Sequence, residues 1–130
     1  MCISDIKDPT VSYFQGNFAP VQAQLSEPCI EVIGTVPEAL NGAFLRIGAN
    51  PVFVNDPESY HPFAGDGMIH EVVFEQGKVW YRNRFVETDG HLAEQEMGGL
   101  IWDGINTKPE DVEKYGPSKN IANTAMIFHG

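Results

Sequence analysis

Four histidines, His61, His70, His91 and His129, are the side chains here best suited to hold a metal, since neutral imidazole is a common ligand. Their spacing builds no cage. His61 and His70 stand nine residues apart across a Pro/Gly loop, His91 lies in an acidic connector and His129 in a terminal turn. Each has a plainer reading: His70 as a hydrogen-bonded interior residue, His61 as a loop-shaping neighbour of Tyr60 and Pro62, and His91 and His129 as exposed or turn-bonded side chains. No catalytic, cofactor-binding or metal-ligating role is assigned to any residue.

Other reactive types meet the same comparison. Asp66 reads as a turn former and Glu71 as a partner for Arg82, which outweighs a general acid or base role. Glu94 and Glu96 are carboxylates without a histidine spaced to join them on one helix or strand face, although His91 is close in sequence. Gly65-Asp66-Gly67 lacks the Lys and Ser or Thr of a phosphate loop and precedes a strand rather than a helix. Cys2 and Cys29, the two cysteines, form no CxxC pair and have no triad around them. Phe63, Trp80, Tyr81 and Phe85 could line an apolar tunnel, with core packing as the simpler account.

The elements that must position these residues centre on one hairpin. The stretch YHPFAGDGMIH at residues 60–70 joins an aromatic, Pro-broken loop to an alternating strand, with two glycines that allow positive φ and an Asp able to bond within its own turn. Glu75-Gln76-Gly77-Lys78 closes a two-residue turn. Counting outward pairs Glu75 with Lys78, Val73 with Trp80, Glu71 with Arg82 and Ile69 with Arg84 on a charged face. The other face pairs Phe74 with Val79, Val72 with Tyr81, His70 with Asn83 and Met68 with Phe85, and is expected to look inward.

Around the hairpin, residues 1–28 read as an extended arm broken by Pro9, Pro20 and Pro28, with Tyr13, Phe14 and Phe18 as anchors. Residues 29–36 are expected as a strand, residues 37–42 as a glycine-capped helical turn, and residues 43–47 as a strand covered on both sides. Residues 92–97 predict a turn of helix stopped at Gly98-Gly99, and residues 109–115 a short helix with Pro109 in its first turn. Residues 100–105 are an ambiguous apolar patch around Trp102, and residues 120–128 alternate as a strand.

The 130 residues are 42% hydrophobic and 11% aromatic, enough for a core if the architecture closes. A net charge of −10 with eight scattered basic residues excludes a nucleic-acid footprint. Residues 87–115 hold eight acidic side chains against Lys108 and Lys114, the usual composition of solvated loops. The sparse cysteines fit a reducing compartment. The first ten residues lack the apolar core of a secretory signal and the Arg/Ser bias of a transit peptide, so a cytoplasmic location is expected. No apolar run approaches the length of a membrane span.

Five blocks in order, YFQGNFAPV at 13–21, GTVPEALNGAFLRIGANP at 34–51, residues 60–70, VWYRNRFVET at 79–88 and ANTAMIFHG at 122–130, resemble the carotenoid cleavage oxygenase family. The resemblance implies an all-β fold: the N-terminal portion of a seven-bladed β-propeller, with an extended arm over 1–28, first strands and blade segments over 29–130, and short helical connectors. It implies a longer parent, an Fe(II)-dependent dioxygenase that splits a carotenoid or apocarotenoid double bond into carbonyl products. The family's iron ligands lie on later strands, so no iron is expected on this chain alone, and no family motif carries a ligand role to His61, His70, His91 or His129. Peripheral membrane contact of the parent and its oligomeric state stay open. The other readings are an inactive truncated product or interaction module of the same fold, and a free-standing β-sandwich that would leave the ordered blocks unexplained.

Overall fold

A computed structural model describes residues 12–27 and 30–129. Its centre is a four-stranded antiparallel sheet of β1 (Ser26–Glu27), β2 (Gly42–Asn50), β3 (Asp66–Glu75) and β4 (Lys78–Phe85), in the order β1-β4-β3-β2. Two helices follow, α1 (Asp89–Met97) and α2 (Val112–Tyr115), and 3-10 turns at Ser12–Phe14 and Gly16–Phe18 lie in the described part of the arm.

The β3–β4 hairpin has the register that the alternation predicts, from Glu75 opposite Lys78 to Met68 opposite Phe85. Gln76 and Gly77 take φ of 50° and 75°, the left-handed pair that a two-residue turn needs to match strand twist. β2 pairs with β3 along its whole length, Gly42 opposite Phe74 and Asn50 opposite Asp66. One face of the sheet therefore carries Phe44, Arg46, Met68, His70, Val72, Tyr81 and Asn83 together.

The arm is held by two asparagine side chains that act like short pieces of backbone. Asn50 accepts from Val21 N at 2.7 Å and donates to Val21 O at 3.0 Å. Asn83, fully buried, accepts from Leu25 N at 2.5 Å and donates to Ala23 O at 3.0 Å. These bonds satisfy arm groups before β1 begins, and β1 then pairs Ser26 with Arg82.

Several sequence expectations give way here. Residues 30–36 form no strand; Ile30 N reaches Val79 O, while Ile33 is 98% exposed, and Cys29 lies outside the described residues, as do Cys2 and residues 1–11. Residues 37–40 make a single turn, closed by Leu40 N on Pro37 O, and Gly42 opens β2 instead of capping a helical turn. β2 is an edge strand exposed on both faces over its first half, with Phe44 62% and Leu45 45% exposed, rather than a strand covered on both sides. Residues 120–129 are irregular rather than a strand, because no neighbouring strand presents them a ladder of backbone groups. Among the described residues the buried apolar set is small, Val54, Met68, Val79 and Trp102, since an open sheet encloses little.

The helices also start elsewhere than the patterns place them. α1 begins at Asp89 because the Thr88 side chain accepts from His91 N, and Gly98 ends it with φ of 72°. α2 begins after Asp111, whose side chain accepts from Lys114 N; Pro109 precedes the helix instead of opening it. No helix among the described residues is long and apolar enough to cross a membrane.

Candidate functional site

The Gly-Asp-Gly block opens β3 and forms the seat of a buried ion cluster. Neither glycine is there for positive φ. A side chain on Gly65 would stand 2.7 Å from Pro51 N, and one on Gly67 2.1 Å from Ala122 O, so both glycines allow backbones to approach closely. Gly67 N donates to Ile121 O at 2.7 Å, and the Asn123 amide donates to Gly65 O at 2.7 Å and Phe63 O at 2.9 Å. The segment at 119–123 is thereby laid across the base of the hairpin.

Asp66 does not bond within its own turn; it is 4% exposed and faces Lys119, whose Nζ lies 2.7 Å from Oδ1. The contact is an ion pair without hydrogen-bond alignment. Glu94, 2% exposed, takes the same ammonium at 2.5 Å through Oε2, and its Oε1 accepts from Ile101 N and Trp102 N. Gly90 leaves room for the Lys119 stem, whose Cγ would be 2.7 Å from a Cβ there. His91 is buried as well, stacked on Phe85 at 4.8 Å with Nδ1 3.4 Å from Asp66 Oδ2.

A cavity of about 420 Å³ adjoins this cluster, with Val54, Tyr60, Asp66, Glu94, Trp102 and Lys119 on its walls. Burial, with a smaller contribution from the Asp66 carboxylate, pushes the Tyr60 phenol up to about 12 against a pull from the Gly65 backbone. Tyr60 therefore stays protonated through the physiological range. Lys119 lies clamped between two carboxylates, those of Asp66 and Glu94. The arrangement fixes chain segments.

The residues singled out from sequence do not come together as one centre. His61 is exposed and accepts from Phe63 N, and His129 is exposed. His70 Nδ1 shares a hydrogen bond of 2.7 Å with Tyr81 Oη, and burial followed by repulsion from Arg46 lowers its pKa. Among the described residues no three His, Cys, Asp or Glu side chains gather in a ligand set. Glu71 pairs with Arg82, yet Glu71 is buried while Arg82 is exposed, so the charged hairpin face is only partly solvated. Phe63 is 69% exposed, and Trp80 lies across the sheet from Tyr81 and Phe85, so the four aromatics neither share a wall nor form a closed core.

Two acidic-connector readings fail outright. Glu94 and His91 are buried rather than solvated, because α1 sets His91 beside Asp66 and Glu94 against Lys119. Their spacing of three on a helix was the visible signal, hidden by expecting the helix to start only at residue 92. Lys119 was missed altogether, since nothing local marks a lysine whose partners lie 25 and 53 residues away. Glu96 stays exposed on the far side of the helix.

A four-stranded sheet sealed at one end by a buried lysine–dicarboxylate cluster defines a scaffold, and comparison with known proteins supplies its family. The family model for retinal pigment epithelial membrane protein matches residues 18–130, and the chain belongs to this family, that of the carotenoid cleavage oxygenases. It is 37% identical over 113 residues to the carotenoid cleavage oxygenase of Mycobacterium tuberculosis, covering 84% of this chain and 21% of that protein. It is 43% identical over 135 aligned positions to carotenoid 9,10(9',10')-cleavage dioxygenase 1 of Phaseolus vulgaris, covering 90% of this chain and 24% of the relative. Among solved structures it resembles a variant of the Synechocystis apocarotenoid oxygenase with a TM-score of 0.67 at 31% identity, covering 81% of this chain and 23% of that one. The chain thus spans between a fifth and a quarter of the length of these relatives.

Proposed function

We propose that these 130 residues are the N-terminal part of an Fe(II)-dependent dioxygenase that cleaves a double bond of a carotenoid or apocarotenoid with dioxygen, giving carbonyl products. The family match over residues 18–130 carries this reading, and relatives bearing carotenoid-cleavage names support it. In the parent, residues 1–28 are an extended arm and residues 29–130 the first blade segments of a seven-bladed propeller. Iron supplies the oxygen chemistry there. The described residues of this chain offer no ligand set that fits it, so none of their side chains is given a step in that chemistry. Their part is to fix the arm, the sheet and the 119–123 segment.

The decisive experiment reads the frame past Gly130 and assays the extended product with Fe(II), dioxygen and an apocarotenal. Stoichiometric iron and two carbonyl products are expected from the extended protein, and neither from the 130-residue chain. Turnover by the short chain itself, or an extended protein that binds iron and cleaves no polyene, would defeat the proposal. The small fraction of each relative covered favours one second reading, an inactive short product or interaction module of the same fold, for which a stop codon directly after Gly130 is the distinguishing observation. A cytoplasmic site is part of the same proposal; an Arabidopsis thaliana relative is named chloroplastic, and cell fractionation decides between the two.

A further inference from the structure

We propose that Asp66 is a three-way latch whose carboxylate accepts hydrogen bonds from His91 Nδ1 and Tyr60 Oη beside Lys119, tying the 60–66 loop and α1 to the 119–123 segment. Among the described residues three buried side-chain atoms have no hydrogen-bond partner, Tyr60 Oη, Asp66 Oδ1 and His91 Nδ1, and all three gather around this one carboxylate. Such orphans are rare in a folded chain and cost free energy until they are paired. His91 Nδ1 is 3.4 Å from Asp66 Oδ2, just beyond ordinary hydrogen-bond length. The Tyr60 phenol, its pKa raised first by burial, is near enough to Asp66 for the carboxylate charge to add to that rise.

The two carboxylates of the cluster differ in how fully they are engaged. Glu94 Oε1 accepts from Ile101 N at 3.0 Å and Trp102 N at 3.2 Å, and its Oε2 accepts from Lys119 Nζ. Asp66 has Lys119 at 2.7 Å without hydrogen-bond alignment, so it keeps lone pairs for donors from its other two neighbours. A phenol donates through its one O–H, and an imidazole donates to a carboxylate when the ring hydrogen sits on the nitrogen that faces it. The latch therefore fixes the tautomer, with the hydrogen on His91 Nδ1, and the stack on Phe85 at 4.8 Å holds the ring beside Asp66. The burial of Asp66, His91 and Glu94 comes from this chain's own segments and needs no further length to explain it. The latch does not depend on the iron chemistry proposed above.

The test reads hydrogen exchange at the Gly67 amide, which donates to Ile121 O and reports whether the 119–123 segment is seated. Nitrogen NMR of the folded chain should first place a hydrogen on His91 Nδ1. Tyr60→Phe and His91→Leu should each speed Gly67 exchange about tenfold, the factor expected when one hydrogen bond to a carboxylate is lost, with the amides beside the Gln76-Gly77 turn unchanged. His91→Asn keeps an N–H donor near the Nδ1 position and should stay within about threefold of the unaltered chain. In an Asp66→Ala background both substitutions should become nearly silent, since the shared acceptor is gone. A hydrogen on Nε2 alone, acceleration spread evenly over the hairpin, His91→Asn no better than His91→Leu, losses that add to that of Asp66→Ala, or unchanged exchange at Gly67 would each overturn the proposal.

Discussion

Met68 and Phe44 lie on the same face of one sheet, yet Met68 is fully buried and Phe44 is 62% exposed. The difference follows the connections. At the Gly-Asp-Gly end, α1 and residues 119–123 fold back onto Asp66 and Gly67 while the arm bonds Asn83 beside Met68; the first half of β2, at the other end, stays exposed. Burial in this chain is set by which segments return to the sheet rather than by how apolar each strand is. The sealed end holds buried ions, and the open end holds the larger aromatic.

Substitutions should separate the two ends by size of effect. Gly67→Ala would set a methyl against Ala122 O and lift the 119–123 segment, with an expected loss of several kcal/mol, of the order of about 4 when overpacking and broken backbone bonds combine. Denaturant melts read this directly, and a loss under about 1 kcal/mol would show that the segment does not hold the seat. Lys119→Met leaves Asp66 and Glu94 buried without their cation and should cost about 3 to 5 kcal/mol near neutral pH. Replacing all three by apolar residues should recover much of that loss, and an additive triple variant would remove the cluster from the account.

Asn83→Ala strips two bonds from the arm and leaves a small void, with about 2 kcal/mol expected and earlier proteolytic cutting before Ser26. Unchanged protease sensitivity would mean that Asn50 alone clasps the arm. At the open end, Leu45→Ser should change stability by no more than about 0.5 kcal/mol, because this side chain is already 45% exposed. A larger loss would reveal a covering partner for β2.

The smallest effect is a titration. His70 is neutral in the folded chain below the pH at which an ordinary imidazole, near about 6.5, takes up its proton. Its contribution to stability is present above that value and is lost as pH falls below it, because the unfolded chain then binds the proton first. NMR should find His70 titrating below the ordinary value, and Arg46→Met should move it upward by removing the repulsion that adds to burial. A His70 midpoint unmoved by that change would leave burial as the whole cause.

Local chemistry alone made the hairpin legible: a Gln-Gly turn fixes the count, and alternation fixes which residues face one another across β3 and β4. Ordered motif blocks likewise identified the family without any coordinates. The long-range pairings were closed to that reading. Lys119 meets Asp66 and Glu94 only after α1 and the following loop return to the hairpin base, and an apolar alternation over residues 120–128 cannot become a strand without a neighbour to bond. Even the two glycines changed meaning, from freedom of φ to room for Pro51 and Ala122. Sequence determined what each segment prefers by itself; the tertiary structure decided which polar groups are buried, since burial depends on what arrives from elsewhere in the chain.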